Sequence, residues 1–243
     1  MPAIESMYEP AKKIIADLRE NIETGQYAAI LGDDASGRLP ALLFRKVLNA
    51  IYEERKFDQP KTLFFAGREI HGPEKEKVQQ DFIGFLKKAG VGKIAEGKKV
   101  LFVTDTIASG EHLLPFTEAL QKLGVNFDII TMGIYFSPQK ISEKEKFLGG
   151  KIFWGQPYSP LIYGKHHLSG AKKSDDFSLF AKPVPFLEEE KKRRRLSGMR
   201  PEKREVILER ARIKEINQSR FKARKEVEIL AQKLIEWYRG GGQ

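Results

Sequence analysis

The sequence predicts an α/β protein built on a doubly wound, mainly parallel sheet, and three observations carry that expectation. Short apolar runs alternate with longer segments of helical periodicity over residues 27–135, the runs open into glycine-containing loops, and Gly25 and Pro40 fall where helices should stop and start. In such sheets ligands gather at the carboxyl ends of the strands, so those loops are the places to look for chemistry.

Element by element, Tyr8 to Thr24 sets Ile14, Ile15, Leu18 and Ile22 on one side of a helix that Gly25 ends. Tyr27 to Gly32 reads as a strand. After the loop Asp33-Asp34-Ala35-Ser36-Gly37-Arg38, Pro40 suits the first turn of a helix carrying Leu43, Val47 and Ile51. The same grammar recurs in Thr62 to Ala66 with Glu74 to Ala89, and in Lys99 to Thr104 with Leu113 to Leu123. Phe127 to Tyr135 is the next strand. Beyond Ser137-Pro138 the pattern loosens into a short helix near Glu143 to Leu148 and aromatic segments at Phe153-Trp154 and Tyr158 to Tyr163, read as a subdomain over the sheet edge. Trp154, Tyr158 and Tyr163 suit a packed core better than a base-stacking surface.

Composition shifts after Lys182, which divides an α/β domain of residues 1–182 from a basic helical extension of residues 183–243. Pro183 and Pro185 precede three glutamates and the cationic run Lys191 to Arg195. From Pro201 to Tyr238 a long helix is expected, because Val206, Ile213, Ile216, Val227, Leu230, Leu234 and Trp237 form one apolar stripe. That stripe suits packing on the core or on a second subunit. The basic residues of 191–239, interleaved with glutamates, fit either contact with nucleic acid or a solvated, ion-paired face.

With 243 residues, 41% of them hydrophobic, the chain has material for a packed core. The absence of cysteine excludes disulfides, thiolate nucleophiles and Cys-ligated zinc, and accords with a reducing cytoplasm. No run approaches the roughly 18 apolar residues of a membrane span, and the polar start MPAIESMYEP lacks a secretory apolar region. A cytoplasmic protein without a membrane partner is therefore expected. A net charge of +10 favours polyanionic partners, whether phosphate-rich metabolites, nucleic acid or an acidic protein surface.

The most informative segment is Val100 to His112, VLFVTDTIASGEH. A strand ending at Asp105 would set a carboxylate at the sheet edge. The following Thr106, Ile107, Ala108, Ser109 and Gly110 would form a loop of small residues whose backbone N–H groups close around a phosphate ahead of a helix. In this segment the chain resembles the type I phosphoribosyltransferase family, whose signature is an apolar strand, two acidic residues and a small-Thr-Gly-x-Thr type loop. Asp105 matches the second acid and Ser109 with Gly110 the loop, whereas Thr104, Glu111 and His112 depart from it. The landmarks span residues 27–135.

The resemblance implies a specific chemistry. Asp105 would orient the ribose hydroxyls of phosphoribosyl pyrophosphate (PRPP) and the Mg²⁺ associated with them, and residues 105–110 would hold the 5-phosphate. Ser36, Gly37 and Arg38 would meet the pyrophosphate, and Arg68 would assist its departure. The implied activity is transfer of phosphoribosyl to a nitrogenous base with release of pyrophosphate. The departures keep a second class open, a non-catalytic module that senses PRPP or a nucleotide and binds nucleic acid through its basic extension. His71, in the loop with Arg68, is more simply a solvated side chain than a catalyst. Gly32 to Leu39 nearly spells a P-loop, but Arg38 and Leu39 stand where that motif needs Lys and a Ser/Thr hydroxyl.

Overall fold

A computed structural model describes residues 4–33, 37–65, 73–94, 97–157, 171–172, 182–183 and 201–242. Two short helices, α1 (Tyr8–Asp17) and α2 (Arg19–Glu23), lead into β1 (Tyr27–Asp33) and α3 (Arg38–Glu54). There follow β2 (Lys61–Phe65), α4 (Pro73–Lys88), β3 (Lys99–Ile107), α5 (Leu114–Lys122), β4 (Phe127–Ile134), α6 (Ile141–Leu148) and β5 (Lys151–Pro157). A two-stranded antiparallel pair, β6 (Ala171–Lys172) and β7 (Lys182–Pro183), precedes the 39-residue helix α7 (Pro201–Arg239).

The main sheet has the order β2-β1-β3-β4-β5, and every pair in it is parallel. The chain therefore steps from β1 outward to β2, returns across β1 to β3, and continues the other way. Since each right-handed crossover places its helix according to the direction of travel, α3 and the helices after β2 lie on opposite faces. The packing agrees. One core joins α1, α3 and α7 to the sheet through Ile14, Leu43, Val47, Leu101, Val103, Leu230 and Leu234. The other joins α4 and α5 through Phe65, Phe82, Phe102 and Phe116, whose rings approach to between 4.5 and 5.1 Å of one another around Phe65. The expected doubly wound α/β architecture is present.

Several expected boundaries move. The single helix expected over Tyr8 to Thr24 breaks at Leu18, where ψ is 0°, and both Leu18 and Ile22 are buried beyond the break. Strand β3 does not end at Asp105. Its ladder with β4 continues through Thr106↔Gly133 and Ile107↔Ile134, so Asp105, Thr106 and Ile107 belong to the strand and only Ala108, Ser109 and Gly110 form the loop. The aromatic segment at Phe153-Trp154 is not a separate subdomain, because it pairs with β4 as the edge strand β5. Trp154 lies there beneath the ammonium of Lys13, 4.3 Å from the ring centroid, and so faces α1. Tyr158 and Tyr163 lie outside the described residues.

Helix α7 rises about 58 Å at 1.5 Å per residue. In its second half Val227, Leu230 and Leu234 are buried and Trp237 half-buried against α1 and α3. The apolar stripe at this end therefore packs on the core, and the ion pair of Lys46 with Glu228, 3.0 Å, ties its rim. Among the described residues no helix is long and apolar enough to cross a membrane.

Candidate functional site

The winding reverses between β1 and β3, since α3 leaves toward one face and α5 toward the other. This is the position at which open parallel sheets bind ligands. The residues at that point come from two segments far apart in sequence.

From β1 comes Asp33, 1% exposed, and after it Gly37, the N-cap of α3. Gly37 has ordinary angles, φ −78° and ψ −6°, so the position does not require glycine for its backbone conformation. It requires glycine for space. A Cβ at Gly37 would stand 2.6 Å from the carbonyl oxygen of Asp33, 2.8 Å from that of Val103 and 3.1 Å from Cα of Thr104. The start of α3 is thus seated directly on the end of β1 and on Val103 and Thr104 of β3. Arg38, half-buried, follows with its guanidinium 5.1 Å from the Phe64 ring centroid.

From β3 come Thr104, 1% exposed, and Asp105, with no exposed surface. The Thr104 hydroxyl donates to the Asp33 carboxylate over 3.3 Å, linking the two strand ends. The backbone carbonyl of Asp105 accepts from the Thr131 hydroxyl at 3.2 Å. Thr106 is half-buried and Ile107 buried. Ala108 and Ser109 are exposed, and Gly110 turns the chain at φ +87°, a left-handed conformation that favours glycine. Its carbonyl accepts from Leu113 N–H, which starts the turn of helix ahead of α5.

Ser109 Oγ accepts from the Glu111 N–H at 3.3 Å, a local turn bond two residues along the chain. Lys144 of α6 donates to the Ser109 carbonyl at 2.8 Å and lies 5.2 Å from the Phe147 ring centroid, bringing a cation to the loop. His112, its side chain 23% exposed, stands with Nε2 3.9 Å from the Asp33 carboxylate. Two buried acids, Asp33 and Asp105, thus lie on β1 and β3, and three basic side chains, Arg38, His112 and Lys144, come from the segments beyond. Ser36, Arg68 and His71 lie outside the described residues.

Sequence reasoning grouped Asp105, Ser109 and Gly110 with Gly37 and Arg38, and the structure sets Gly37 against the end of β3. It missed Lys144, whose approach to Ser109 spans 35 positions and leaves no local signal. It gave Asp33 no partner, and the bond of Asp33 to Thr104 follows only from strand adjacency. Among the described residues no three His, Cys, Asp or Glu side chains gather as a metal-binding group.

No protein-family model matches the chain, and no curated protein sequence matches it.

Proposed function

We propose that the protein binds PRPP or a related nucleotide at the β1/β3 crevice and transfers phosphoribosyl to a nitrogenous base with release of pyrophosphate. The observation that carries this reading is the seating of Gly37 against β3 at Val103 and Thr104. It holds the start of α3 beside the strand that leads into residues 108–110, at the switch point of a parallel sheet, where a ligand with phosphate at both ends would find two loops. In this reading the N–H groups of residues 108–110 and the Ser109 hydroxyl hold the 5-phosphate, with Lys144 nearby as counter-charge. Arg38, with Arg68, meets the pyrophosphate of the Mg²⁺-bound substrate.

The bond from the anomeric carbon to pyrophosphate breaks with its electron pair leaving on oxygen, while the acceptor nitrogen forms the new bond and sheds a proton to solvent. Positive charge grows on the sugar between those events. Buried carboxylates stabilise such charge most where water is excluded, and in this reading the enclosed Asp33 at the end of β1 and Asp105 within β3 serve that purpose. No protein nucleophile is required. Pyrophosphate release from Mg²⁺–PRPP, measured with a panel of purine, pyrimidine and orotate acceptors, tests the activity. Release with one acceptor class supports transfer, and silence with every acceptor refutes it.

A second reading is favoured by Thr104, which stands where an acid is expected, and by the exposed face of α7. There Phe221 is 62% exposed among the exposed Lys222, Arg224 and Lys225, with the Lys225 ammonium 5.0 Å from its ring centroid. Such a surface suits a sensing module that holds nucleic acid by charge and stacking. Oligonucleotide binding that weakens steeply across a salt series and falls on substitution of Lys222 and Arg224 would support it. Salt-independent or absent binding would remove it.

A further inference from the structure

We infer that an acidic groove with an apolar floor, between the start of α1 and the second half of α7, receives the basic run Lys191 to Leu196 of a second copy of the chain. The groove lies apart from Gly37 and the ends of β1 and β3, and nothing in it depends on the activity proposed there. Two adjoining cavities, of about 670 and 190 Å³, share Glu5, Leu230 and Lys233. The larger continues along Tyr8, Glu9 and Pro10 to Gln156 of β5, and the smaller along α7 to Glu226 and Ile229. Leu230 is 3% exposed and Pro10 buried, whereas Ile229 stands at the groove 59% exposed, a large aliphatic side chain left in water. Three carboxylates, Glu5, Glu9 and Glu226, face one another across this floor against the single cation Lys233. Glu9 has Lys12 at 3.7 Å, and neither Glu5 nor Glu226 is ion-paired among the described residues. Even with Lys12 counted, the groove is net negative on a chain of net charge +10.

A matching occupant brings an apolar side chain for the floor and guanidinium or ammonium groups beside it for the carboxylates. The sequence holds such a segment, outside the described residues: Lys191-Lys192-Arg193-Arg194-Arg195 runs directly into Leu196, and every other run of consecutive Lys and Arg is at most two residues long. Chain length decides which copy supplies it. Glu226, the part of the groove nearest the start of α7, lies 25 residues beyond Pro201 in one helix, about 38 Å along its axis. Arg193 to Leu196 precede Pro201 by eight residues or fewer, so even a fully extended chain carries them no more than about 28 Å from it. The run therefore falls short of the groove of its own chain and fits that of another. Each copy offers one groove and one arm, and reciprocal exchange of the two arms closes the pair as a dimer.

Sedimentation equilibrium of the full chain, from about 1 to 200 µM and at two salt concentrations, tests this. The wild type should gain mass with concentration, and less so at high salt, because exposed ion pairs are screened. Changing Glu5→Lys and Glu226→Lys together turns two attractions into repulsions and should weaken association about tenfold. Leu196→Ser should weaken it by about the same factor, through loss of the apolar contact. A chain with Arg193, Arg194 and Arg195 all changed to Glu should also stay monomeric alone. Mixed with the Glu5→Lys, Glu226→Lys chain it should associate again, since each arm then meets a groove of opposite charge. That rescue separates a lost contact from a misfolded variant, which no mixing would restore. A monomer at every concentration overturns the inference, as does association that the groove and arm substitutions leave unchanged. Association lost on nuclease treatment overturns it as well and assigns the basic run to nucleic acid.

Discussion

Gly37→Ala is the most incisive perturbation of the crevice. Because φ −78° and ψ −6° suit alanine, backbone strain contributes nothing, and the whole effect comes from the added methyl group. That methyl would arrive 2.6 Å from the Asp33 carbonyl oxygen and 2.8 Å from that of Val103. Ordinary contact begins near 3.4 Å, so the shortfall at Asp33 is about 0.8 Å. Both obstacles are backbone atoms of ladder-bound strands, so neither can swing aside as the end of a flexible side chain would. Overpacking of this kind costs about 1–3 kcal/mol, and backbone obstruction places it at the upper end, about 3 kcal/mol. At about 2–4 °C per kcal/mol for a chain of this length, the melting midpoint should fall by about 6–12 °C. Thermal unfolding followed by circular dichroism, with urea midpoints at unchanged m-value, measures it. Gly84→Ala is the internal control: Gly84 lies within α4 with nothing within 4 Å of a new Cβ, so alanine there should stabilise by about 0.5–1 kcal/mol. If Gly37→Ala melts within a degree of the wild type, the start of α3 is not seated on β1 and β3 as described.

Leu234→Ala removes a fully buried side chain between α7 and the core, and should cost about 2–5 kcal/mol in urea unfolding, whereas Phe221→Ser on the exposed side of the same helix should stay within about 0.5 kcal/mol. Equal effects would place α7 off the core. Tyr52→Phe deletes the acceptor of the Tyr27 N–H, a 2.9 Å bond, and should cost about 1–3 kcal/mol at neutral pH. Alkaline behaviour follows from the same residue: burial pushes the Tyr52 phenol up to about 12 from 10.0, so the unfolded chain releases that proton first. Its contribution is complete below pH 10.0 and is lost as pH rises through about 12, so stability should decline across that window and Tyr52→Phe should shallow the decline. The Tyr27 phenol is raised further, by burial first and then by the Asp128 carboxylate beside it, and adds to the same trend. A flat stability profile there would contradict the buried assignment of both rings.

The alternation of apolar runs with amphipathic segments made the layers of the fold readable, because each βα unit declares itself within about twenty residues. Strand order was not readable in this way, since nothing local in Lys99–Ile107 says that it returns beside β1 rather than β2. The end of β3 was misplaced for a related reason. Asp105 is a polar residue in a buried strand, and local reasoning stops a strand at a charge, whereas the ladder to Gly133 and Ile134 carries it onward. The aromatics of β5 resembled a separate layer because an edge strand lacks the unbroken apolar character of β4. The turn at Ser109 and Gly110 ahead of a helix was legible from residue type and spacing. The Asp33–Thr104 bond and the approach of Lys144 were not, because both are products of strand and helix adjacency.

Calorimetric titration of Mg²⁺–PRPP into the wild type, Ser109→Ala and Asp105→Asn tests the central claim most directly. The account predicts saturable one-site binding by the wild type. Ser109→Ala should bind more weakly through loss of a phosphate donor, about fivefold to tenfold. Asp105→Asn should also bind more weakly, as an amide replaces the enclosed carboxylate of β3. Absence of wild-type binding, or equal binding by all three proteins, would contradict it.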